Sequence, residues 1–267
     1  MKLRIVLYCL LGGLPLAIAA LGAGRFIWWW LSGILLAAGF VPIALFGPRG
    51  SLRQLGVIAP ALLVVSVLCT WSEALIFLPG AATHAIRDLV GASAVYLIEA
   101  VALAVLAGIL GLTRPSGASV HRRTVAARVL MVLACGVAYA VYYLIFGAIT
   151  YQFFTKDYYP EAIDTAQRLG LWLWVIQVGR GALMTLAVLP AIETLRLGRG
   201  QAAIAVGALI WIAGGATPLL VPNDIMGTTQ RIIHIIEILT QNAPLGITAV
   251  LLLRPRTAPV EAVPRAA

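Results

Sequence analysis

The sequence predicts an all-α fold, a polytopic bundle of eight transmembrane helices with both termini in the cytoplasm. Three observations carry that prediction. Of the 267 residues 61% are apolar and only 11% charged, where soluble domains carry about 25% charged residues; the mean hydropathy is +0.98. The apolar residues fall into runs of about 20, the length that crosses a bilayer. The basic residues alternate in density from one connector to the next, as the positive-inside rule requires.

Each run can be justified in turn. The first, about 4–22, follows Lys2 and Arg4. Those charges and the Ala17-Ile18-Ala19 tract also match a cleavable signal peptide, whose removal would leave seven spans. The second, 26–46, opens on Trp28, Trp29 and Trp30 and stops at GPRGS (47–51). The third, 54–79, runs into LPGAAT (78–83), and the fourth, 86–112, into TRPSGAS (113–119). The fifth, 126–152, is followed by Phe153, Phe154, Tyr158 and Tyr159, and the sixth, 166–195, carries Trp172 and Trp174 near its start. Such aromatics suit headgroup depth. The seventh, 201–221, contains Gly214-Gly215-Ala216-Thr217-Pro218, a possible helix break, and closes at LVPND; the eighth is 228–253. Residues 1–253 thus form one membrane domain, and 254–267 a short cytoplasmic Pro/Ala-rich tail. No internal repeat is evident.

Lys2, Arg4, Arg49, Arg53, Arg114, Arg122, Arg123, Arg128, Arg196, Arg199, Arg254, Arg256 and Arg265 fall on one side of this topology. The other side holds only Arg25, Arg87, Lys156, Arg168 and Arg231, together with the acids Asp88, Asp157, Glu161, Asp164 and Asp224. The heavier side is the cytoplasmic one, and the Ala/Leu/Gly/Arg-rich usage suits a bacterial inner, or plasma, membrane. The formal charge of +9 is therefore spent on topology, and no nucleic-acid partner is expected; membrane lipids are. Cys9, Cys69 and Cys135 each lie inside an apolar run and read as small hydrophobes.

The informative residues are ionisable or polar groups inside the spans, where each costs at least ~2.5–3.5 kcal/mol on insertion scales. In the eighth span Gln230, His234, Glu237 and Gln241 recur at helical spacing on one face, with Arg231 beside them. That face must point into the bundle. Glu73 in the third span, Glu99 in the fourth, and Gln177 and Arg180 in the sixth are its natural partners, with Gly179 and Gly181 letting a neighbouring backbone approach Arg180. His84 reads as interfacial. As packing pairs, Glu237 would meet Arg180 or Glu73 would meet Arg231, Glu99 would bond to the fifth span, and Glu193 would pair with Arg196. The depths of these groups place one polar cavity in the outer half of the membrane, opening outward.

Glu73, Glu99, Gln177, Arg180, Gln230, Arg231, His234, Glu237 and Gln241 are the expected ligand-binding or proton-relay residues. In the leading reading Arg180 holds an anionic group of a small transported or bound molecule while His234 and Glu237 exchange a proton. The alternative is a membrane-embedded acid–base enzyme acting on a lipid or lipid-linked substrate from the outer leaflet. The third is a scaffold whose charges are packing pairs. No catalytic residue can be singled out and no cofactor is expected; a metal at His234, Glu237 and Glu73 is a lesser alternative, because no HExxH or paired Glu-x-x-His pattern is present.

Overall fold

The computed structural model describes residues 1–77, 83, 85–113, 123–159, 162–224 and 226–255. His84 and all but the first two residues of the expected tail lie outside them. Among the described residues there is no strand, and eight helices are long and apolar enough to cross a bilayer. They are α1 (Lys2–Ala19), α2 (Phe26–Phe46), α3 (Ser51–Phe77), α4 (Ala85–Ile109), α5 (Val125–Thr155), α6 (Leu171–Thr194), α7 (Arg199–Leu220) and α8 (Thr228–Leu253). The chain is an integral, multi-pass membrane protein.

Each helix follows its expected run, with three instructive departures. The sixth span starts at Leu171, because 162–169 is a separate short helix with Asp164 near its start and Arg168 in its last turn, each sign where the helix dipole favours it. Gly170, at φ +51°, turns the chain into α6. Second, α5 continues past 152 to Thr155 through a wide π turn, Tyr151–Thr155. Third, the Gly214–Pro218 stretch does not break α7. Pro218 offers no N–H to the carbonyl one turn back, and the helix absorbs the loss in a π turn, Ile212–Ala216, before running on to Leu220. A longer π stretch, Leu62–Cys69, follows Pro60 in α3.

The first span is built into the bundle: Tyr8 and Leu16 are fully buried, and α1 packs on α2 and α4. Helix α3 packs on α4. In the second half α5 packs on α6 and α8, and α7 on α8. The halves meet where α3 touches α6, where α2 touches α7, and where the π stretches of α3 and α7 lie against each other. Backbones approach closely at glycines. A Cβ on Gly33 would stand 2.7 Å from the Cα of Gly13, and one on Gly181 would stand 3.0 Å from the Cα of Gly136. In a bilayer such close approach is what helix association has to work with, since lipid tails are as apolar as the side chains.

Both described chain ends lie at one face of the bundle, and the arginines there do more than mark topology. The even-numbered helices end at this face, each leaving carbonyls without a helical donor. Arg196 donates to Gly47 O (2.5 Å) beyond α2, and Arg4 to Leu110 O (3.3 Å) beyond α4. Arg254 donates to Ile192, Leu195 and Leu197 O (2.6, 2.5 and 3.0 Å) at the end of α6. Arg123 donates to Leu252 O (2.7 Å) and Arg199 to Leu251 O at the end of α8. A cation at a helix C-terminus is also favoured by the dipole. With Arg196 so engaged, Glu193 pairs instead with Arg128 of α5, at 2.9 Å. The expected Glu193–Arg196 pair is therefore replaced by an interhelical one.

Candidate functional site

Two polar clusters form in the half of the bundle away from the chain ends. The first joins three helices. Glu73 of α3 sits four residues before the end of its helix, about 6 Å along the axis, and Arg180 of α6 sits about 14 Å in from the start of its own. Arg180 Nη2 donates to Glu73 Oε2 at 2.6 Å and its Nη1 to Gln177 Oε1 at 2.8 Å. The Tyr143 hydroxyl of α5 donates to the other oxygen of Glu73 at 2.9 Å. The guanidinium carbon lies 5.8 Å and 5.7 Å from the ring centres of Tyr139 and Tyr143, within cation–π range. These contacts follow from local spacing. Gln177 and Arg180 are one turn apart on α6, Tyr139 and Tyr143 one turn apart on α5, and Gly136 and Gly181 bring the two helices together.

The pair is uneven. The Arg180 side chain is 8% exposed and that of Glu73 36%. The cation is fixed in the interior on protein partners, whereas its counter-ion is the more exposed member of the pair. Gln177 Nε2 and Arg180 Nε are buried with no hydrogen-bond partner.

The second cluster lies on α8. His234 Nδ1 and Glu237 Oε2 are 2.8 Å apart, and Gln241 Nε2 donates to Glu237 Oε1 at 3.2 Å. Both acceptor and donor face α5 at Gly147, where a Cβ would come within 3.6 Å of Glu237 and 3.8 Å of Gln241. The Tyr159 ring covers the imidazole at 5.5 Å between centres, and His234 Nε2 is buried without a partner. Tyr159 lies beyond the end of α5. Burial, and then the negative charge of Glu237, push its phenol above the usual range. Tyr139 links the clusters, standing within electrostatic reach of Glu237 as well as of Arg180 and Glu73.

Of the nine expected site residues the structure therefore gathers six: Glu73, Gln177 and Arg180 in one cluster, and His234, Glu237 and Gln241 in the other. Gln230 is drawn off by its helix end, its Oε1 accepting from the Gly227 amide at 2.6 Å. Arg231 reaches the last carbonyls of α7, Leu219 and Leu220, at 3.3 and 3.2 Å, and the hydroxyl of Thr228 at 3.3 Å. It caps α7, and the expected Glu73–Arg231 and Glu237–Arg180 pairs give way to Glu73–Arg180. Glu99 is fully buried but faces α1, not α5. Its carboxyl lies near the Leu16 amide and within electrostatic reach of Tyr8 and Tyr96, with neither oxygen in a close hydrogen bond. Tyr139 and Tyr143, which the sequence offers as the polar groups of the fifth span, and Tyr159, which reads there as an interfacial aromatic, join the clusters without being among the nine. The one-turn spacing of the first two was the available signal. Nor do both glycines beside Arg180 serve close approach: only Gly181 does, and a Cβ at Gly179 would meet nothing within 4 Å.

Among the described residues no three His, Cys, Asp or Glu side chains stand close enough to hold a metal, and Glu73 is turned to Arg180, away from His234. A hollow of about 420 Å³ is lined by Gly24, Arg25, Phe26, Ile27, Trp28 and Leu31 at the start of α2, apart from both clusters. Comparison with known proteins returned no match to a family, to a curated protein or to a solved structure.

Proposed function

We propose that the protein binds a small organic or inorganic anion at Arg180 and carries it, together with a proton, across its membrane. The carrying observation is the uneven Arg180–Glu73 pair. An incoming carboxylate or phosphate can take the place of the Glu73 carboxylate on the fork of Arg180, which suits either group. The displaced Glu73 then takes up one proton, so that a net anion and a net proton enter and the site's charge is unchanged. That balance matters inside a bilayer, where an extra charge is costly. His234 and Glu237 on α8, hydrogen-bonded at 2.8 Å, supply the neighbouring exchangeable proton. The basic face that carries both termini lies in the cytoplasm of a plasma membrane, and the site opens to the far side.

The test is thermal denaturation of the purified protein in detergent at pH 6 with lactate, glutamate, citrate or inorganic phosphate. At least one should raise the melting temperature of wild type and leave Arg180→Gln unmoved. No stabilisation of wild type by any of them, or equal stabilisation of Arg180→Gln, refutes the proposal. A positive anion is then followed by proton flux in liposomes carrying an internal pH dye, where Glu237→Gln should bind it and fail to acidify the lumen.

A further inference from the structure

Register, not similarity of side chains, reveals a relation between the halves. Gly33 precedes Pro42 in α2 by the same spacing as Gly181 precedes Pro190 in α6. The same spacing again separates each proline from its helix end, Phe46 and Thr194, and from the first residue of the next helix, Ser51 and Arg199. Laid in that register, the π turn of α7 falls inside the π stretch of α3. Likewise Gly13 follows the start of α1 at Lys2 by the spacing that puts Gly136 after the start of α5 at Val125. These glycines are the ones at which α1 crosses α2 and α5 crosses α6. The packing repeats as well: α1 on α2, α3 on α4 and α1 on α4 are matched by α5 on α6, α7 on α8 and α5 on α8. The contact of α3 with α6 is matched by that of α7 with α2, and the π stretches of α3 and α7 meet as equivalents.

We infer that the chain is a duplication of a four-helix unit, α1–α4 and α5–α8, related by a pseudo-twofold axis along the membrane normal. Its two equivalent junctions have diverged, one a plain packing contact and the other the charged site, whose charges the fold does not need. The register pairs Ser32 with Arg180 and Thr217 with Cys69. Across the α2–α7 junction Ser32 Oγ donates to Thr217 O at 2.7 Å, with both residues fully buried; the ion pair of this junction, Arg25 with Asp224 at 2.8 Å, stands outside the buried contact, at the exposed helix ends. Across the α3–α6 junction Arg180 faces Cys69 and, one turn on, Glu73. Glu73 corresponds to Val221, one residue past the end of α7, so it sits on a stretch by which α3 outruns its counterpart. One chain thus contains its own control: the buried part of the junction packs without ions. Parallel repeats about such an axis commonly hold substrate at their interface.

The identity of the ligand rests on the function proposed above; the dispensability of the charges for folding does not. The test replaces each charge by its counterpart, in the double variant Glu73→Val/Arg180→Ser. A second double, Glu73→Met/Arg180→Met, removes both charges while keeping volume. Both are melted beside wild type, with and without the anion that stabilises wild type. At least one double should melt within about 4 °C of wild type, roughly the shift that a one kcal/mol change gives a chain of this size, and neither should respond to the anion. If both doubles aggregate or melt more than about 10 °C lower, the ion pair holds the fold and the inference is wrong. If a double melts like wild type but wild type itself responds to no anion, the charges are dispensable for packing and the function proposed is what fails.

Discussion

The two glycines flanking Arg180 differ sharply in surroundings, and alanine at each should separate packing from mere proximity to the site. A Cβ at Gly181 would lie 2.4 Å from Tyr139 Cβ, 2.9 Å from its Cγ and 3.0 Å from Gly136 Cα. Carbon atoms in van der Waals contact sit at about 3.5–4.0 Å, so α5 and α6 must part by about 1 Å. Neither a backbone Cα nor the root of a buried tyrosine can swing away as a side-chain tip could. Overpacking of this kind costs about 1–3 kcal/mol, occasionally more. At about 2–4 °C per kcal/mol, Gly181→Ala should lower the melting temperature by about 2–12 °C. It should also weaken anion binding, because Tyr139 and Tyr143 move off Arg180. Gly179→Ala should melt at or slightly above wild type, with space for the methyl and a better helix former in place. Differential scanning fluorimetry of both variants in one detergent decides it. Equal losses at both positions, or no loss at Gly181, would refute the close-approach argument.

Other outcomes follow from the same geometry. Anion affinity should fall about tenfold per pH unit on the alkaline side if one proton enters with each anion; titration calorimetry showing no pH slope would mean that Glu73 leaves Arg180 without protonating. Glu99→Gln should melt at or above wild type and keep the full anion response, since this carboxyl lies between α1 and α4 away from both clusters; loss of the response would place it in the site after all. Arg254→Lys should lower the melting temperature by about 2–8 °C, from one to two unmet hydrogen bonds at about 1 kcal/mol each. One ammonium cannot reach three carbonyls that a guanidinium fork spans, and an unchanged melting temperature would show that water replaces the cap.

What the sequence disclosed, and what it hid, divides along physical lines. The spans were legible because hydrophobic length is a one-dimensional property, and the side of the basic residues because charge counts are too. The inward face of α8 was legible because helical spacing alone puts His234, Glu237 and Gln241 in one stripe. Pairing was not, because it depends on which helices touch. A helix end needs its donors and acceptors met as urgently as a buried charge needs a partner, and that demand took Gln230 and Arg231 out of the stripe. The same demand took Arg196 from Glu193 and left Arg128 to take its place. The duplication was hidden for a related reason. In lipid, exchange among Leu, Ile, Val and Ala hardly alters the environment of an outward face, so two halves can drift apart in sequence. What must persist is the backbone approach at Gly13, Gly33, Gly136 and Gly181 and the proline-set registers at Pro42 and Pro190. A search for repeated residues misses such a repeat; a search for repeated spacing of glycine and proline against helix ends finds it. That criterion also explains why intramembrane charge is a poor guide to fold here. Arg180 and Glu73 occupy positions whose counterparts are a serine and a valine, so charge at this junction marks what one of the two junctions acquired, not what holds the buried part of either together.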